Sequence, residues 1–202
     1  MIDMVYVSFD IEASGKTPGK YSLLSLWACS VQNLDEQFYS ELKPISPHYI
    51  PEAVRIGALW LKCIQPHMND STCNPLHVDF IPERVLAILS QDWETPKDSM
   101  ERYVEWLENI RDGKKLVEVA APIRFDSMWT TWYLDNFFEG DNPFGATGGE
   151  DMNSLYRGVM RNTRAHIKDL QLRSGELTHN ALDDALQQAK EFQSILSLFQ
   201  NE

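Results

Sequence analysis

Residues 9–19 read Phe9-Asp10-Ile11-Glu12-Ala13-Ser14-Gly15-Lys16-Thr17-Pro18-Gly19, a stretch that admits two incompatible readings. Its end, Gly15-Lys16-Thr17, has the form of a phosphate-cradling loop, whereas Asp10-Ile11-Glu12 has the form of a carboxylate pair for a metal ion. The phosphate loop G-x-x-x-x-G-K-[ST] needs an early glycine so that backbone N–H groups can wrap the phosphate oxygens. Asp10 stands where that glycine would be, and its carboxylate would repel phosphate. The flanking pattern supports the other reading. Val5, Val7, Phe9 and Ile11 alternate with Tyr6, Ser8, Asp10 and Glu12, the period-2 signature of a strand. Asp10 and Glu12 therefore project from one face, where two carboxylates offer oxygen ligands to a hard divalent cation. An exposed strand end whose acids meet only water would read the same way, and both alternatives stand on this stretch alone. Gly15 and Pro18-Gly19 form the turn that ends the strand.

Outward from this strand, YSLLSLWACSV (21–31) reads as a buried strand and QFYSELKP (37–44) as a third beside it, completing an antiparallel meander. Pro51 opens a helix over EAVRIGALWL, and Pro82 opens another over ERVLAILSQ. SMERYVEWLENI carries Tyr103, Trp106, Leu107 and Ile110 at helical spacing and is stopped by Asp112-Gly113. KLVEVAAP (115–122) is a strand, SMWTTWYLDNFF (127–138) a helix, GDNPFGATGG (140–149) a flexible connector, and HNALDDALQQAKEFQSILSLF (179–199) a closing helix. The irregular stretch 62–81, with Pro66 and Pro75, is an insertion or long loop. The outline predicts an α/β fold, a mixed sheet covered by helices.

At 202 residues, 43% hydrophobic and 24% charged, the chain has the size and make-up of one globular domain. No apolar segment approaches the roughly 18 residues a membrane span needs. The start MIDMVYVSFD lacks a basic region followed by an apolar run. Three cysteines without a C-x-x-C pair suit a reducing compartment, so a cytoplasmic location is expected. A net charge of -12 argues against coating nucleic acid non-specifically, but leaves open an enzyme acting on a nucleic-acid end. Arg157, Arg161, Arg164, Lys168 and Arg173 lie close together, as a local phosphate track or as a solvated helical face.

The carboxylates carry the functional reading. Asp126 falls where the strand before Pro122 gives way to a helix, and His179 and Asp184 lie at the start of the last helix. Asn180 can cap that helix with Asp183 at its third position. The order D-x-E, D, H-x-x-x-x-D, carried by FDIEASG, RFDSMWTTWYL and HNALDDA, resembles the DEDDh 3'-5' exonucleases, which include RNase T, oligoribonuclease and proofreading subunits. The match runs from residue 5 to about 195. The histidine five residues before the final aspartate separates this branch from relatives that use tyrosine one residue nearer. One departure is Pro122, four residues before Asp126, where relatives commonly carry asparagine.

The resemblance implies an RNase H-like fold and two divalent cations, Mg2+ or Mn2+, held by Asp10, Glu12, Asp126 and Asp184, with His179 as general base. It implies a partner in the 3' end of single-stranded DNA or RNA, whose terminal nucleotide lies against the backbone of Ala13, Ser14 and Gly15. The alternative is a binding module that keeps the fold without catalysis. Cys63, His67, Cys73 and His77 could ligate zinc, but C-x3-H pairs are less familiar than C-x2-C, and an incidental loop is preferred. The six tryptophans include possible base-stacking platforms and are more simply core.

Overall fold

The computed structural model describes residues 4–172 and 181–199. Its centre is a five-stranded sheet in the order β3-β2-β1-β4-β5. Strands β1 (Met4–Ala13), β2 (Leu23–Ser30) and β3 (Gln37–Glu41) form the expected antiparallel meander. Strand β4 (Lys115–Ala120) joins β1 in parallel, pairing Met4 with Lys115 through Ser8 with Val119. Because this pairing stops at Ser8, the last residues of β1, Asp10 among them, run beyond β4.

The alternation read from the sequence separates two layers. Val5, Val7, Phe9 and Ile11 face a core built with α3 (Pro96–Arg111) and α4 (Ile123–Phe137), where Tyr103, Leu107, Trp129 and Tyr133 are buried. The opposite face carries α5 (Met152–Val159) and α6 (Ala181–Phe199), packed through Tyr156, Ala189, Phe192 and Ile195. A third cluster joins α1 (Pro51–Gly57) and α2 (Pro82–Asp92) to Leu24, Leu61 and Ile64.

Three expectations need correction. The connector 140–149 is not wholly irregular: it leads into a fifth strand, β5 (Gly149–Asp151), parallel to β4. Helix α1 ends at Gly57 rather than continuing to Leu61. Helix α4 begins at Ile123, four residues ahead of the predicted start. Its first N–H, that of Ile123, donates to Asp151 Oδ2 at 3.3 Å, while Asp151 Oδ1 accepts from Ser154 N–H as the cap of α5. One carboxylate thus serves two helix starts, a stabilisation local propensity around Pro122 does not reveal.

Stretch 62–81 is folded by specific anchors. Glu41 accepts the backbone N–H groups of Lys62 and Cys63, and Arg55 donates to the carbonyls of Pro75 and His77 while its guanidinium lies 4.8 Å from the Phe80 ring centroid.

Candidate active site

Four carboxylates arrive at one place because three ties hold their elements together. Ser8, two residues before Asp10 on the same face of β1, donates its hydroxyl to the Ala185 carbonyl of α6 at 2.8 Å. This seats the neighbouring Asp184 beside the end of β1. Gln188, one turn further along α6, accepts from Ala121 N–H at 2.9 Å and ties α6 to the segment between β4 and α4. Where β1 has outrun β4, the Ile11 N–H hydrogen-bonds the Asp126 carboxylate from the first turn of α4. Strand, loop and both helices are therefore cross-linked by hydrogen bonds around the acids themselves.

The result is a cavity of about 1010 Å³ whose lining includes Asp10, Glu12, Asp126, Asp184 and Glu191. Asp126 and Asp184 are 8% and 7% exposed. Glu12 keeps some exposure toward the cavity, yet burial, and then the charges of Asp126 and Asp184, push its carboxyl up to about 8. Burial raises Asp126 to about 7, opposed by the hydrogen bond from Ile11 and reinforced by buried Glu118. Glu118 itself is raised by burial to about 7 although Ser127 and Thr130 donate to it. The carboxylates thus destabilise one another's charged forms across a shared space, and positive charge placed between them would relieve that cost.

Oxygen-only donors of high negative charge suit a hard divalent cation. Among the described residues, no three Asp, Glu, His or Cys side chains are already drawn into a closed metal-holding group. The acids line a common cavity.

No family model matches the chain. It is 32% identical to the 3'-5' DNA exonuclease Cap18 of Escherichia coli over 202 aligned residues, covering 95% of this chain and 91% of that protein. The chain belongs to the DEDDh 3'-5' exonuclease family. Among solved structures, zinc-bound E. coli exonuclease I with single-stranded DNA superposes with a TM-score of 0.62 at 13% identity, over 98% of this chain and 42% of that one. The complex of exonuclease I with a dT13 oligonucleotide gives 0.63 at 14% identity, over 98% and 43%. The chain spans under half the length of these exonuclease I chains, and the likeness is one of fold, RNase H-like. Exonucleases of this family are metal-dependent.

The other residues expected at the exonuclease site fall in several places. Ala13, Ser14 and Gly15 stand outside the cavity lining. Ser14 is fully committed within the chain: its N–H donates to Ser22 O, its hydroxyl donates to His48 O and accepts from Ser22 N–H, and its carbonyl accepts from Ile50 N–H. A Cβ on Gly15 would lie 2.3 Å from the Tyr21 ring, so glycine is required there by the fold's own packing. Of the basic group, Lys168 alone among the described members lines the cavity, and Arg157 donates to the Ala165 carbonyl instead. Arg173 and His179 lie outside the described residues, as does the Asn180 cap. Pro122 lines the cavity at the start of α4 and supplies no side-chain cap.

The four loop residues Cys63, His67, Cys73 and His77 differ in their surroundings. Both cysteines are buried and both imidazoles exposed. Cys63 sits against Glu41, Cys73 lies 3.7 Å from Asp70 Oδ2, and His77 Nδ1 accepts from Asp79 N–H.

Sequence reasoning missed Gly57, Ser8, Gln188 and Glu191. Gly57 ends α1 directly against Glu12: an added Cβ would lie 3.1 Å from Glu12 Oε2 and 3.2 Å from its Cβ. The i, i+4, i+7 spacing of Asp184, Gln188 and Glu191 on α6 was the available signal for the last two.

Proposed function

We propose that this chain removes nucleotides from the 3' end of single-stranded DNA, releasing nucleoside 5'-monophosphates, and that residues 1–202 act as one exonuclease domain. The observation that carries the reading is the convergence of Asp10, Glu12, Asp126 and Asp184 on one cavity. Substrate class is supported by the DNA exonuclease relative and by the single-stranded DNA bound to the exonuclease I neighbours. Three free thiols fit a cytoplasmic location, and no helix among the described residues is long and apolar enough to cross a membrane.

Asp10, Glu12, Asp126 and Asp184 would hold two divalent cations, Mg2+ or Mn2+, whose charge offsets that developing on the attacking and leaving oxygens at phosphorus. His179, whose imidazole is the side chain suited to accept a proton near neutral pH, takes the proton of the attacking water. The new P–O bond forms in line with the bond to the 3' oxygen, which breaks and leaves its electron pair on the shortened strand. The Ile11 N–H fixes the Asp126 carboxylate during this displacement, and Ser8 and Gln188 keep α6 from drifting. The backbone from Ala13 through Ser14 to Gly15, immediately after Glu12, lies against the terminal nucleotide, and Ser14's hydrogen bonds to Ser22 and His48 brace that turn.

The test is Asp10→Ala assayed on single-stranded DNA with saturating Mn2+, its fold checked by circular dichroism. Turnover should be abolished with the spectrum unchanged. Near-normal turnover would sink the assignment.

A further inference from the structure

The cavity has a second wall that the carboxylate chemistry does not use. It is formed by the 3-10 turn Ile167–Leu170 and its flanks, which contribute His166, Lys168 and Gln171 to the lining, with Asn153 from α5 beside them. Five carboxylates, those of Asp10, Glu12, Asp126, Asp184 and Glu191, occupy the lining, and Lys168 is the single Lys or Arg among the described lining residues.

The turn is braced before any substrate arrives. His166 N–H donates to Asp169 Oδ2 at 2.9 Å, and His166 Nδ1 accepts from Lys168 N–H at 3.1 Å, a reciprocal capping box. Ile167 N–H donates to Asn153 Oδ1 at 3.2 Å, while Ala165 and Ile167 are buried in the core beneath α5 and α6. Because Nδ1 is an acceptor, the neutral ring carries its proton on Nε2. Lys168 is exposed and, among the described residues, forms no ion pair. The wall is therefore braced in its backbone, tied to the core, and contributes hydrogen-bond donors to the cavity that the acids also line.

We propose that this wall, through His166 Nε2–H and the Lys168 ammonium, binds the phosphodiester one step 5' of the reacting one. The inference rests on the exonuclease reading for the direction of the strand. The reacting phosphorus must lie against the carboxylates and the cations they hold. The next phosphate has no such cation, and the acids repel it. The donor wall is the part of the same cavity where its charge is stabilised. The cavity, at about 1010 Å³, lies at the upper end of the roughly 300–1,000 Å³ of small-molecule sites and has room for more than a single terminal nucleotide.

Two variants and two readouts test this. Lys168→Ala removes the ammonium from an exposed position, and His166→Asn keeps a capping acceptor while removing Nε2–H. Equilibrium binding of 5'-fluorescein-labelled dT13, the oligonucleotide length seen on the exonuclease I neighbour, is followed by anisotropy in EDTA over a salt series. Each variant should bind about fivefold more weakly. Lys168→Ala should also flatten the dependence of log Kd on log salt by about 0.7, the value of one phosphate contact on a single strand, and His166→Asn should not.

The second readout is kcat/KM on dT13 and on the p-nitrophenyl ester of thymidine 5'-monophosphate, which offers the reacting phosphodiester alone. Loss on dT13 should exceed loss on the ester by about fivefold. Equal losses on both substrates, or dT13 binding within about twofold of wild type in both variants, would overturn the proposal. A wild-type chain that hydrolyses neither substrate, with the binding losses intact, would overturn the exonuclease reading while supporting the wall.

Discussion

Replacing Gly57 by alanine should separate stability from activity. The new Cβ would stand 3.1 Å from Glu12 Oε2 and 3.2 Å from Glu12 Cβ, against an ordinary lower limit near 3.4 Å, while Leu24 Cδ1 at 3.6 Å is an acceptable neighbour. Glu12 must therefore retreat by two to three tenths of an ångström. A misplacement of 1 Å can cost about 10²-fold in rate, so this displacement should lower kcat about threefold. The backbone effect has the opposite sign: alanine within a helix is favoured over glycine by about 0.5–1 kcal/mol, somewhat less at the last helical residue. Tm should hold steady or rise slightly. Gly57→Val, which adds bulk at the same point, should lose more rate than Gly57→Ala. The assay is kcat against Mn2+ concentration on single-stranded DNA, paired with thermal unfolding. If both variants kept the wild-type kcat and half-activating Mn2+ concentration, the position of the Glu12 carboxylate would not matter to turnover, and the reasoning would be refuted.

Further outcomes follow from the same geometry. Asp184 is buried and lines the cavity, whereas its neighbour Asp183 is exposed and outside the lining. Asp184→Asn should abolish metal-dependent turnover, and Asp183→Asn should cost about 1 kcal/mol of stability or less; inactivation by the Asp183 change alone would misplace the third motif by one residue. Glu12 and Asp126 are held at about 8 and about 7 in the fold, above the ordinary 4.5 and 3.8. The native chain thus binds more protons than the unfolded one, and the associated stability is present below the ordinary values and lost as pH rises through about 7 to 8. Thermal unfolding in EDTA should show Tm falling across that window, with Mn2+ restoring more at its alkaline end, since cations and protons compete for the same oxygens; a metal effect that shrinks with rising pH would contradict the site. Tyr133 OH accepts the buried Leu23 N–H at 2.8 Å, so Tyr133→Phe should cost about 1–3 kcal/mol in urea unfolding, and no loss would remove that bond from the account of the core.

The meander and the placing of Asp10 and Glu12 were legible because strand periodicity is local: each residue of β1 announces its face by its neighbours two positions away. Helix α3 was legible for the same reason, through Tyr103, Trp106, Leu107 and Ile110. What the sequence hid depends on partners far along the chain. β5 has three residues, two of them acidic, and forms a strand only because β4 presents an edge to it. The first turn of α4 is stabilised from Asp151, and α6 is held in place by Ser8 and Gln188. Gly57 falls inside the helix expected over EAVRIGALWL, and its role at the helix end follows from the approach of Glu12, far along the chain. The capping box at His166 pairs residues only two and three apart, yet its place on the cavity wall follows from the tie to Asn153.

The most direct test of the central claim is the polarity and product of hydrolysis on one single-stranded DNA labelled separately at each end, with Mn2+ present. The account predicts stepwise shortening of the 5'-labelled strand and, from the first time point, a labelled nucleoside 5'-monophosphate from the 3'-labelled strand, with both signals absent in EDTA and in Asp10→Ala. Internal fragments, release of mononucleotide from the 5' end, or hydrolysis unaffected by EDTA would contradict it.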